Sequence, residues 1–564
     1  TERRRKARRM SLGGLIRATL LASTVLASVA PLSVAPARAQ SLEEMKAQIQ
    51  ALQRRIEQLE AQQKRAARVQ RQAPPPAVAR AAPAASAAQV AAAQRAAEQA
   101  QQAAAEAQRS VAQAKQEAAQ AKETAAAEVK AAYAPPPGKP SGTFRIPGTE
   151  VAVRLYGFAK VNGIWDTTTQ NRSDTLSAQS IPLFGTANQR TGGDMQLSAR
   201  RSRLGFETWT PINDTFGEFH SLVEMDFAGQ NTDLTTQATS SSYTPRLRKA
   251  YVDFGHATGG WGSVLFGQDT TLFGDQALLP IQWMSDWDFV GLSNNRQGQF
   301  RYTYGFGEGL SAAFAIESPY SDITTSSGTS YPDSNGGAGF GFSNTPDFTG
   351  RVQWKQGWGL LALRGVVRPQ IELNNQSAAS ASARFSQSVA GYGLGVTAVG
   401  SLLDGSLVLM ASANGGNGIG RYLDNTAAGF GAVSNAGLPG VSIANTSLDA
   451  VTSYGGMVGL QYFFTPTLRT NMALGGARLI MPSYTRNFGG CVGAVSATGS
   501  CSGTNKSEWA GSINLVWSPF KAVDIGLEYQ HVERVLQGSF ATGGGNATTG
   551  GIANRIQLTG IGRF

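Results

Sequence analysis

From Phe144 to the end of the chain, apolar and polar residues alternate with a period of two, the repeat of a strand whose two faces meet different surroundings. Leu310, Ala312, Phe314 and Ile316 share one side of such a strand. Val352 and Trp354 oppose Arg351, Gln353 and Lys355, while Leu361, Leu363 and Val367 oppose Arg364 and Arg368. Val523, Ile525, Leu527 and Tyr529 oppose Asp524, Glu528 and Gln530. The final stretch sets Ile556, Leu558 and Phe564 against Arg555, Gln557, Thr559 and Arg563.

The pattern predicts sixteen strands, near 151–167, 194–210, 216–229, 245–255, 260–268, 298–305, 309–318, 347–356, 358–369, 385–400, 405–414, 450–464, 467–480, 506–518, 521–533 and 552–564. Short turns such as Thr465-Pro466 and Ser518-Pro519-Phe520 alternate with long polar connections such as 168–193, 269–297 and 415–449. An even strand number, with tight turns at one end and long loops at the other, predicts an all-β transmembrane barrel over 144–564, with its apolar side to lipid and its polar side to a watery lumen. A large soluble sandwich does not keep so regular an alternation. The strands near 151 and 245 are not cleanly two-sided, and leave Arg154, Lys160, Arg246 and Arg248 on neither face. In the strand near 194–210, Arg200 breaks the alternation that sets Leu204 and Phe206 against Arg201 and Arg203.

The preceding quarter of the chain is different. Residues 1–39 carry a basic cluster, an apolar stretch and Ala37-Arg38-Ala39, the signature of a secretory signal peptide cut before Gln40. The region 40–71 contains Leu42, Met45, Ile49, Leu52, Ile56 and Leu59 at alternating spacings of three and four, the seam of a coiled coil. Three heptads do not fix the number of chains. Residues 72–143 form a Pro- and Ala-rich spacer, either helical or a disordered tether.

Charge separates along the same boundaries. Of the net charge of +11, residues 1–140 contribute +12 and residues 141–564 contribute −1. With no basic patch interleaved with aromatics, nucleic acid is excluded as a partner. The two cysteines, Cys491 and Cys501, fall in one long loop and predict a loop-closing disulfide in an oxidising compartment. His220, His256 and His531 have no metal-ligand spacing, no nucleophile is specified beside His531, and neither cofactor, metal nor enzyme activity is expected.

In residues 141–564 Arg outnumbers Lys 22 to 5. Arg201, Arg203, Arg301, Arg351, Arg364 and Arg368 form a candidate ladder along the lumen. Their planar forks suit two-point contact with carboxylate or phosphate. The alternative is a general pore, in which acids balance the arginines.

The chain resembles the DcaP-like trimeric outer-membrane porins. The resemblance rests on the N-terminal heptads, Leu155-Tyr156-Gly157-Phe158-Ala159-Lys160, Ser198-Ala199-Arg200-Arg201-Ser202-Arg203-Leu204-Gly205-Phe206, Arg246-Leu247-Arg248-Lys249-Ala250-Tyr251, Gly267-Gln268 and Arg301-Tyr302. It implies a Gram-negative outer-membrane location, a homotrimer and diffusion of small anions such as dicarboxylates. It also implies that Phe564 is the terminal insertion signal read by the barrel-assembly machinery. By the same resemblance the third long loop folds inward, so that Asp269, Asp275, Asp286 and Asp288 face the arginines while Trp283 and Trp287 wall the opening; the alternative places the tryptophans at the lipid interface or packed within the loop. Phosphate-selective porins are the rival family. The Ala-rich part of the spacer has no counterpart in the family; a structural tether to peptidoglycan through 41–133 is the alternative reading for that region.

Overall fold

The computed structural model describes residues 138–564 apart from 169–173, 177–180, 187–188, 190–192, 230–242, 257–258, 279–283, 285–288, 326–329, 332–339, 375–383, 424–430, 437, 488–504 and 544–545, together with scattered residues of 54–136. The signal peptide and most of the heptad segment lie outside the described residues. The chain divides into two units, Thr1–Val151 and Ala152–Phe564. In the first unit every described residue between 91 and 123 is helical, as the Ala-rich composition favours.

The second unit is a closed barrel of sixteen antiparallel strands. They are β1 (Ala152–Asp166), β2 (Asp194–Ser198 and Arg203–Asn213), β3 (Gly217–Asp226), β4 (Arg246–Gly255), β5 (Ser263–Thr270), β6 (Arg296–Gly307), β7 (Leu310–Glu317) and β8 (Asp347–Gln356). They continue with β9 (Gly359–Asn374), β10 (Ser386–Leu402), β11 (Leu407–Asn417), β12 (Thr452–Thr465), β13 (Leu468–Ile480), β14 (Asn505–Phe520), β15 (Val523–Gly543) and β16 (Asn546–Arg563). Each pairs with its neighbour in sequence, and β16 returns to β1 from Phe158↔Arg563 to Asp166↔Arg555. Closure leaves no unpaired sheet edge, which a bilayer core does not tolerate.

Burial follows the alternation. Phe314, Leu363, Leu527 and Leu558 are all more than half exposed on the outer wall, whereas Arg555, Gln557 and Glu528 are at most 1% exposed on the inner one. Exposed aromatics gather beside the tight turns: Phe216, Phe306, Trp358, Phe464 and Phe520 stand in the arrangement of the aromatic girdle that membrane-spanning barrels place at the lipid interface. No described helix is long and apolar enough to cross a membrane, which says nothing of strands. The hairpin between β6 and β7 turns through Glu308 (φ 49°) and Gly309 (φ 77°), where a Cβ on Gly309 would stand 1.8 Å from the Lys355 carbonyl oxygen.

Three features depart from the sequence pattern. β15 and β16 outrun their expected ends near 533 and 552, because their ladder continues to Gly543↔Asn546 where no bilayer demands alternation. β2 is broken between Ser198 and Arg203, where Arg200 interrupts the period. Four short strands, Ile323–Thr324, Ser330–Tyr331, Ala432–Ser434 and Leu448–Ala450, build a second sheet from the long connections after β7 and β11.

Candidate functional site

A bulge in β4 sets the charge of one inner wall. Glu224 pairs with Lys249 and Met225 with Leu247, so Arg248 is an extra residue in the ladder. The bulge turns Arg248 and Lys249 inward together while Leu247 stays outside. Arg246 then meets Asp226 at 2.7 Å, Arg248 meets Glu224 at 2.9 Å and Asp226 at 2.8 Å, and Lys249 meets Asp269 at 2.9 Å. Neighbouring strands extend the row: Arg154 reaches Glu207 at 3.3 Å, Arg203 reaches Glu224 at 3.5 Å, and Arg301 reaches Asp269 at 3.1 Å.

These pairs are lopsided. The side chain of Arg246 keeps 31% of its exposure and that of Arg203 keeps 19%, while Asp226 keeps 1% and Glu224 keeps 8%. The acids lie beneath, against the wall, and the cations present their heads to the lumen. An anion entering the lumen therefore meets guanidinium and ammonium groups before it meets carboxylate. Below the loop that follows β5, a cleft of about 350 Å³ is lined by Arg301, Arg351, Lys355, Gln353, Thr303 and Asp269. In it Arg351 donates to the Gly274 carbonyl at 2.7 Å and to Gln353 Oε1 at 3.0 Å, both uncharged acceptors.

The described residues of the loop between β5 and β6 lie inside the barrel. Near its start, Asp275 meets Arg364 at 2.7 Å and accepts from the hydroxyls of Thr397 and Ser412. Near its middle, the Met284 carbonyl accepts from Gln557 at 3.0 Å and from Thr559 at 3.2 Å. The Met284 side chain packs with Phe158, Val516 and Ile561. Farther on, the Gly291 carbonyl accepts from Asn414 at 2.9 Å. Leu278, Phe289, Val290 and Leu292 of this loop form one buried apolar cluster with Leu176 and Ile181 of the first long loop. Inward-facing Met457, Ala473, Ala510 and Val532 complete that cluster from the wall.

Among the six arginines expected along the lumen, Arg203, Arg301 and Arg351 stand on the wall with part of their surface accessible. Arg201 lies in the break of β2, outside any strand, where its neighbour Arg200 pairs with Asp174 at 3.5 Å. Arg364 and Arg368 require a correction as pore-lining groups, because their side chains have no exposure at all. Arg364 is covered by the inward loop, donating to the Phe273 carbonyl at 2.6 Å as well as meeting Asp275. Arg368 is covered by the second sheet's connections, meeting Asp322 at 2.7 Å and Asp347 at 3.4 Å. Of the residues expected at the constriction, Asp275 is placed as described; Trp283, Asp286, Trp287 and Asp288 lie outside the described residues, as do Cys491 and Cys501.

Phe564 ends beside β1, its backbone N–H donating to the Gly157 carbonyl at 3.1 Å and its carbonyl accepting from Gly157 at 3.3 Å. His220 shares a hydrogen bond of 2.6 Å with Asp253 and stacks on Trp209, and His531 shares one of 2.6 Å with Asn554. Among the described residues no group of three potential ligands stands close enough to hold a metal. The alternation left Arg154, Arg246 and Arg248 on neither face and did not single out Lys249. Two adjacent cations in a strand otherwise bearing them at alternate positions were the available sign of a bulge.

Residues 140–392 match the family model described as Porin subfamily. Among solved structures, the outer membrane channel DcaP of Acinetobacter baumannii is 21% identical, with 73% of this chain and 97% of that chain covered at a TM-score of 0.52. The anion-selective porin from Comamonas acidovorans is 12% identical, covering 74% of this chain and 100% of that one at 0.41. OmpT of Vibrio cholerae is 9% identical, covering 74% and 99% at 0.40. No curated protein sequence matches the chain.

Proposed function

We propose that this chain is a porin, an outer-membrane diffusion channel rather than an enzyme, and that it prefers small anionic solutes of dicarboxylate type. The observation that carries the preference is the lopsided row from Arg154 to Arg301, cations toward the lumen and acids beneath. A desolvated carboxylate backing each cation holds it extended without cancelling its field at the open side. Arg301, Arg351 and Lys355 around one cleft offer a second row of donors to a solute bearing two carboxylates.

The test is the reversal potential of the purified protein in a planar bilayer under a salt gradient. An anion preference that succinate competes away is the expected result. A cation preference, or none, rejects the reading. A second reading, a general porin, is favoured by the pairing itself, since most wall cations have an acid within salt-bridge distance. Competition by phosphate but not by succinate would place the channel with phosphate-selective porins instead.

For the rest of the chain the proposal follows the sequence. Residues 1–39 are removed on export, 40–71 form a periplasmic coiled coil that assists assembly of a homotrimer, and 72–143 space it from the barrel. Phe564 is the signal to the barrel-assembly machinery, and the alternative for 41–133 is a tether to peptidoglycan.

A further inference from the structure

We infer that Arg364 is a positioning residue that clamps the inward loop to one side of the lumen, so that solutes pass along β2–β8 and the other side is dry. The inference rests on the porin reading and deepens it. Four contacts meet at this one guanidinium. Its Nη1 stands 2.7 Å from Asp275 and donates to the Phe273 carbonyl at 2.6 Å, both on the loop. Its Nη2 donates to the Val396 carbonyl at 3.1 Å and to Ser412 at 3.2 Å, on β10 and β11. Asp275 in turn takes the hydroxyls of Thr397 and Ser412. Loop and wall are thereby joined by a charge pair that is closed to water on both sides, with no exposure of either side chain.

What lies beyond the clamp explains its purpose. A barrel lumen meant for water is polar. On β12–β15, however, the inner wall includes Met457, Ala473, Ala510 and Val532, none more than 6% exposed, and the polar residues beside them, such as Glu508 and Gln530, are buried as well. Phe289 and Val290 of the loop fill the space they leave. Glycines make room for this approach: a Cβ on Gly475 would stand 2.5 Å from the Val290 carbonyl oxygen, and one on Gly455 would stand 3.0 Å from the Gly291 Cα. On the opposite wall the cations Arg203 and Arg246 keep part of their surface open. The clamp thus sets pore width, while the β2–β8 cations set charge preference, and two arginines of one ladder perform different tasks.

Single-channel conductance and reversal potential separate the two tasks. Arg364→Met and Asp275→Asn are compared with Arg301→Gln and the wild type, each full chain checked by heat-modifiable migration. Release of a packed segment is expected to raise the conductance of both clamp variants by about twofold and to leave the reversal potential in place. Arg301→Gln is expected to move the reversal potential toward zero without raising conductance. A shift in reversal potential at unchanged conductance in Arg364→Met makes Arg364 a selectivity residue and overturns the inference. Should Arg364→Met fail to fold, Asp275→Asn decides: higher conductance supports the clamp, while stronger anion preference at unchanged conductance rejects it. An absence of change in both measures also rejects it. A wild type without anion preference sinks the proposed function alone, because the clamp is still read from conductance.

Discussion

The ring of Phe564 lies directly over Gly157, so close that a Cβ on Gly157 would stand 2.7 Å from the ring edge and 2.3 Å from the Arg203 carbonyl oxygen. Two backbone hydrogen bonds join the same residues and fasten the last residue to the first strand. Barrel closure therefore depends on a missing side chain. Gly157→Val is expected to lower the temperature at which the folded barrel loses its heat-modifiable gel mobility, and to slow membrane assembly. Phe564→Ala should slow assembly while leaving Gly157 uncrowded. A Gly157→Val protein with wild-type stability would remove this contact from the account of closure.

Lys249 and Arg248 are adjacent in sequence yet both face the lumen, through the bulge opposite Glu224. Replacing both with Gln removes two positive heads while Glu224, Asp226 and Asp269 remain beneath. The anion preference should fall, more at low salt than at high. Screening lengths of about 10 Å at 0.1 M and 3 Å at 1 M set that difference. Reversal potentials at the two salt concentrations check it, and an equal effect at both would mean that the cations act by direct contact rather than by field.

The barrel was legible because most strands repeat one physical rule, apolar outward and polar inward, as in Leu310–Ile316 and Ile556–Phe564. The lumen was less legible. Arg364 and Arg301 read alike in sequence, each opposite an apolar neighbour. Only the path of the loop after β5 makes one dry and leaves the other wet. Alternation reports which face of the wall a residue occupies, and nothing local reports what is folded against that face. The apolar inner positions Ala473 and Ala510 carried the missing information: small apolar residues on a lumen face ask for a partner. The second sheet stayed hidden for another reason, since its strands are two or three residues long and pair across separate loops.

Arg368 ties that second sheet to the barrel. It meets Asp322 and Asp347, donates to the Gly418 carbonyl at 2.5 Å, and has no exposure. Arg368→Met leaves two buried carboxylates, Asp322 and Asp347, with only the more distant Arg421, 3.8 Å from Asp347, to offset them. Breaking such a pair from one side costs about 3–5 kcal/mol. The variant should lose thermal stability, and the connection at 318–346 should become open to protease. Arg368→Lys keeps the charge but not the fork, and is expected to recover only part of the loss. Unchanged proteolysis would show that the connections hold without the pair.

The dry side of the lumen predicts a pattern of chemical access. Ala510, on the wall beneath the apolar cluster, has no exposed surface, whereas Lys249 keeps part of its own. In open channels a charged, water-soluble thiol reagent should modify Lys249→Cys readily and reduce conductance. It should leave Ala510→Cys unmodified until the protein is unfolded. Equal rates at the two positions would mean that water fills both sides.

The spacer poses a separate question, since a barrel needs no Ala-rich segment to conduct. All described residues between 91 and 123 are helical, and a helix rises about 1.5 Å per residue. The composition offers few large side chains to bury, so the segment adds reach rather than a second core. Removing 41–133 while keeping the signal peptide should leave single-channel conductance and reversal potential as in the wild type. If the segment tethers the outer membrane to the cell wall, the deletion should increase vesicle release and detergent sensitivity. If the heptads serve assembly instead, the same deletion should lower the yield of trimer on mild-detergent gels with the envelope intact. An unaltered envelope and an unaltered trimer together would reject both roles.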